Sequence, residues 1–143
     1  MKNFDTVVLI TENMQKALCA EGVNFSLCAF EDDSALPASL LPHGQIFYTG
    51  ETFEYAHGQR PVYAEAGFVV KLLFNAKDAQ ALTRDGQMWA HRVRGALTID
   101  ALNSGGLAIV KRVSRVSITG VDVSNKATLS KMTCRLSVRY REA

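Results

Sequence analysis

The chain is poor in the residues that usually announce a chemistry. Its three cysteines, Cys19, Cys28 and Cys134, form no CxxC pair and have no histidine at metal-ligand spacing, so reduced, buried thiols are expected rather than a zinc site or a disulfide scaffold. The histidines are scattered: His43 follows a proline, His57 falls in a turn and His91 on the polar side of a helix. No GxSxG elbow occurs. Gly105 and Gly106 follow a helix instead of opening one, which excludes a phosphate cradle of the usual kind. The acidic run Glu31-Asp32-Asp33 lacks the alternating ligand spacing of a calcium loop and reads as a solvated loop end. No apolar run approaches the ~18 residues of a membrane span. The run Val7–Ile10 is too short for a signal peptide. No catalytic residue, cofactor, metal ligand or small-molecule substrate is therefore assigned, and a cytoplasmic protein without a membrane partner is expected.

What is present is an architecture. From Val62 to Phe74 every even position is apolar (Val62, Ala64, Ala66, Phe68, Val70, Leu72, Phe74), the signature of a strand with one face in a core. After Asn75 the period changes. Asp78 is a good N-cap, and Ala79, Leu82, Gly86, Trp89, Val93, Ala96 and Leu97 follow in steps of three and four, one stripe of a long helix. Trp89 is either the largest core residue of that stripe or an interface anchor. Gly86 costs about 1 kcal/mol against alanine, so its place on the inward face predicts a close approach of helix to sheet.

Around this centre the other elements fall into order. Asp5 to Glu21 predicts a first helix with Gly22 as its stop, and Val23 to Phe30 a first strand. Ser34 to Gly44, with Pro37 and Pro42, reads as a loop. Gln45 to Tyr55 reads as an aromatic strand with a bulge near Gly50, joined through Ala56–Arg60 into the long strand as a hairpin. Asn103 to Gly106 stops the helical part. Two strands, Leu107 to about Thr119 and Thr128 to Tyr140, then close the chain, joined by a polar segment holding Gly120 and Asn125. At 143 residues this is a single α+β domain. A mostly antiparallel or mixed sheet of four to five strands is expected, covered on one face by the N-terminal and the long central helix.

Charge is distributed unevenly along this order. Residues 1–102 hold 8 Lys and Arg against 12 Asp and Glu, net −4, whereas residues 103–143 hold 8 against 2, net +6. On the last strand Met132, Cys134, Leu136, Val138 and Tyr140 face one way. Lys131, Arg135, Arg139 and Arg141 face the other, and Arg112 and Arg115 of the preceding strand are expected to join them. The six cations are the candidate partner or subunit surface. Their alternative is an ordinary solvated face that discourages edge pairing. No aromatic residues are interleaved there, which argues against base stacking.

Taken whole, the chain resembles the tail terminator proteins of long-tailed bacteriophages, also called tail completion or head-tail joining proteins. The likeness lies in size, in the N-terminal helix leading to a strand, and in the hairpin ending in VYAEAGFVVKLLF. It extends to the helix with Trp89 and Val93 and to the closing strand ending Leu136-Ser137-Val138-Arg139-Tyr140-Arg141. The resemblance implies a non-enzymatic homo-oligomeric ring, commonly of six subunits. Such a ring caps the tail tube and presents a surface to the head connector, in the cytoplasm during assembly and then in the virion tail. Its partners would be the tube and connector proteins. The alternative from another class is a small nucleic-acid-binding module using the same basic strands, and a small hydrolase with residues scattered across subunit interfaces is a third.

Overall fold

A computed structural model describes residues 5–28, 41–55, 61–107, 110, 112–126 and 129–141. Its elements are, in order, α1 (Asp5–Cys19), β1 (Asn24–Cys28), β2 (His43–Tyr55), β3 (Pro61–Phe74), α2 (Ala79–Ala96), α3 (Ile99–Leu102), a 3-10 turn at Gly105–Leu107, β4 (Val113–Lys126) and β5 (Leu129–Arg141). The strands form one sheet in the order β1-β2-β3-β5-β4. β1 runs parallel to β2, and every other neighbour is antiparallel. This is the expected single α+β domain, with a mixed five-stranded sheet.

The alternation read in the sequence decides the layers. Ala64, Ala66, Phe68, Val70, Leu72 and Phe74 are all buried on the helix side of β3. Their cross-strand partners on β5, among them Met132, Cys134, Leu136, Val138 and Tyr140, are buried beside them. Onto this face α1 lays Ile10, Met14 and Leu18, each fully buried and each worth roughly 1.5–3 kcal/mol of transfer free energy. Asp78 caps α2 as expected, accepting from the Ala81 backbone N–H at 2.8 Å.

Two close approaches need glycine. A Cβ on Gly86 would stand 2.7 Å from Val123 Cγ1, so the glycine lets α2 settle on β4, the return its helical cost predicted. A Cβ on Gly44 would enter the Phe25 ring, which fixes β1 beside β2. Trp89 packs half-buried against the core, with the Arg92 guanidinium 4.6 Å above its ring. Arg92 also donates to the Glu21 carbonyl at 2.6 Å, tying α2 to the end of α1. Buried asparagines make two further joints. Asn13 donates to the carbonyls of Leu102 and Ser104, and Asn103 both donates to and accepts from the backbone of Val113.

The closing hairpin differs from its sequence reading. Leu107 lies in the 3-10 turn and the strand begins only at Val113. The segment read as a polar connection, Gly120 to Asn125, is strand, paired residue by residue with β5 from Arg135 to Ser130 after a bulge between Ile118 and Gly120. An edge strand holds its place through backbone bonds on one side, so glycine, aspartate and asparagine are tolerated where alternation alone suggests a turn. β2 starts two residues before Gln45, at His43, and carries the predicted irregularity between Tyr48 and Gly50. The acidic run at 31–33, the connection at 56–60 and His57 lie outside the described residues. No described helix is long and apolar enough to cross a membrane.

Candidate interaction surface

The face of the sheet opposite the helices is built from the odd positions of β3 and β5 and the residues registered with them. Lys131, Arg135, Arg139 and Arg141 all lie there, and Arg115 joins them beside Arg139. Arg112 does not. It precedes β4, so strand alternation does not govern it, and its Nη1 donates to Thr6 Oγ1 of α1 at 2.8 Å on the helix side.

The sequence singled out the cations of this face and missed their partners. Arg139 Nη2 donates to Glu54 Oε2 at 2.8 Å, and its guanidinium stands 4.4 Å over the Tyr63 ring. Arg115 reaches Glu65 at 3.3 Å, and Ser137 Oγ donates to the same carboxylate oxygen. Arg135 Nη1 lies 2.5 Å from Asp122. Three of the four arginines on this face thus meet a carboxylate of the same chain, whereas Arg141 is exposed and makes no ion pair among the described residues. The signal was available in β-sheet register: β3 Glu65 is the direct partner of Arg139, and the hairpin places β2 Glu54 beside Tyr63.

At the other end of the same face the environment is dry. Lys71 is 1% exposed, with its ammonium 5.7 Å from the Phe47 ring centroid. Burial, with the Lys131 ammonium next to it, brings its pKa down to about 8. Gln45 and Leu73 are buried beside it. Nothing in the alternation of VYAEAGFVVKLLF distinguishes this lysine from a solvated one.

The sheet has two open edges among the described residues. β4 pairs only with β5, and β1 covers β2 only from His43 to Phe47, which leaves Tyr48–Tyr55 without a neighbour on that side. On the helix side of this uncovered run Tyr48, Phe53 and Tyr55 are 50%, 48% and 56% exposed. Glu51 accepts from the phenols of Tyr48 and Tyr140 at 2.6 and 2.7 Å. Partial burial and this carboxylate raise the Tyr48 phenol above its ordinary value. The two edges differ in charge. β1 and β2 carry Glu51 and Glu54 and no lysine or arginine, while β4 and β5 carry Arg115, Lys126, Lys131, Arg135, Arg139 and Arg141 against Asp122.

Among the described residues no group of histidine, cysteine or acidic side chains is arranged to hold a metal. His43 stands 3.4 Å from Ser26 Oγ, and His91 is exposed on α2. Cys134 is buried, and that burial raises its thiol pKa, which keeps it protonated and inert. No family model matches the chain, and no curated protein matches it.

Proposed function

We propose that the protein is a structural component of a phage or prophage tail, a ring-forming tail terminator that caps the tube and joins it to the head connector. The observation that carries this reading is the polarity of the sheet, acidic at its β1–β2 end and basic at its β4–β5 end. A ring needs each subunit's one side to complement its neighbour's other side, and opposite charges on opposite edges favour head-to-tail closure over pairing of like edges. The resemblance in size and element order points the same way.

The second reading, a nucleic-acid module, draws less support. Glu54, Glu65 and Asp122 stand against the arginines that would have to meet phosphates, and each such carboxylate opposes the binding of a polyanion.

Light scattering on the purified chain tests the reading. A solution mass near six times 15.7 kDa is expected, and a monomer at every concentration and salt overturns self-assembly as its basis. Charge reversal of Arg135, Arg139 and Arg141 is expected to abolish ring or tube binding while the monomer stays folded. Their present partners are exposed pairs, worth only about 0–1 kcal/mol each. Unchanged assembly of that variant would remove the arginines from the interface.

A further inference from the structure

The bulge in β2 moves a charge to the apolar side of the sheet. Up to Tyr48 the even residues of β2 face the helices, Ile46 opposite Val70 and Tyr48 opposite Phe68. Thr49 is the extra residue, and Gly50 takes up the bend at φ +121°. Beyond it the parity is reversed, so Glu51 pairs with Ala66 and Phe53 with Ala64, both on the helix side. Tyr48, Glu51 and Phe53 therefore share one face, which unbroken alternation would have denied to Glu51 and Phe53.

Glu51 is held there but not neutralised. Its two carboxylate oxygens accept from the phenols of Tyr48 and Tyr140, which orient the anion and leave its charge in place. The strands carry three other carboxylates, and each has an arginine: Glu54 has Arg139, Glu65 has Arg115 and Asp122 has Arg135. Glu51 alone meets no cation among the described residues. It stands between the half-exposed rings of Tyr48 and Phe53, the surroundings in which a carboxylate and aromatic faces together receive a guanidinium.

The same accounting leaves one arginine over. Arg141, the last residue of β5, is exposed and makes no ion pair among the described residues. It pairs with Tyr63, so it lies on the face away from the helices, and the sheet itself separates it from Glu51 of its own chain. The two unmatched charges can meet only between copies.

We infer that Glu51, flanked by Tyr48 and Phe53, receives Arg141 of a neighbouring copy. A charge-assisted pair backed by aromatic rings is the kind of contact that anchors an interface. The inference rests on the reading that the chain associates head to tail, and it names the residues that meet.

Charge reversal tests it by light scattering. Glu51→Arg alone and Arg141→Glu alone set like charges against each other and are each expected to fall to the 15.7 kDa monomer, folded by circular dichroism. An equimolar mixture of the two is expected to assemble, because reversed and original pairs then alternate around the ring. Should Glu51→Arg not fold, the neutral variants Glu51→Gln and Arg141→Gln replace it: each is expected to weaken association at least about tenfold, and the double variant no further than either alone. If the wild type assembles and Arg141→Glu does so equally well, the mixture of two folded reversals stays monomeric, or the two neutral losses simply add, this pair is overturned while the ring reading survives. A wild type that stays monomeric at every concentration overturns both.

Discussion

Lys71 shows how one residue can set a pH dependence that its neighbours in sequence do not announce. Its folded pKa of about 8 lies below the ordinary 10.5, so between these values the native chain holds fewer protons than the unfolded one. Unfolding there takes up a proton, and stability contributed by this site rises with pH across the window. Below about pH 8 the cost of keeping a buried cation is present in full. Lys71→Met removes the titration, so the wild type should gain melting temperature relative to the variant between about pH 7 and about pH 9.5. A difference independent of pH would show that Lys71 does not titrate in that range. Asn103 carries the opposite kind of burden. It satisfies both the N–H and the C=O of Val113, which is 3% exposed, and replacement by alanine leaves two buried backbone groups to find partners. Asn103→Ala should cost about 3 kcal/mol in urea denaturation, and a loss below about 1 would mean that Val113 pairs elsewhere.

Between elements, the docking of α2 on β4 is decided by Gly86 and Val123. Gly86→Ala improves helix propensity by about 1 kcal/mol but drives a methyl into the Val123 side chain, an overpacking that costs about 1–3. A net loss of about 1 kcal/mol is expected, and Val123→Ala should convert it into a gain of similar size. Equal effects in both backgrounds would show that α2 shifts without resistance. The inward place of Gly86 was legible because a stripe of period 3.6 needs no knowledge of its partner. So were the layers of β3 and β5, whose strict alternation allows only one buried face. The course of β4 was not legible, since an edge strand paired on one side holds polar residues that read as a turn. The exposure of Phe53 and Tyr55 was hidden for a reason of length. Strands of 13 and 14 residues span about 43–46 Å, while helices of 15 and 18 residues span about 22 and 27 Å, so the helices cannot roof every strand along its whole course. The same limit applied to the candidate surface: alternation placed four arginines and a lysine on one face, but only register across the sheet could supply Glu54, Glu65 and Asp122 as their neighbours.

For the whole molecule, the charge asymmetry between the two halves of the chain acts at a distance, whereas any apolar part of the proposed ring interface acts only in contact. These two contributions separate in kinetics. Long-range attraction between an acidic and a basic edge speeds encounter and is screened as the Debye length falls from ~10 Å at 0.1 M salt to ~3 Å at 1 M. Apolar contacts between subunits, once packed, govern how slowly a pair separates, and added salt does not weaken them. Subunit association followed by stopped-flow light scattering should therefore slow by about tenfold between 0.1 and 1 M sodium chloride while the dissociation rate holds nearly constant. Loss of the complex through faster dissociation at high salt would place the binding energy in ion pairs, with the arginine face as their source. An association rate indifferent to salt would mean that the net −4 of residues 1–102 and the net +6 of residues 103–143 do not meet across the interface.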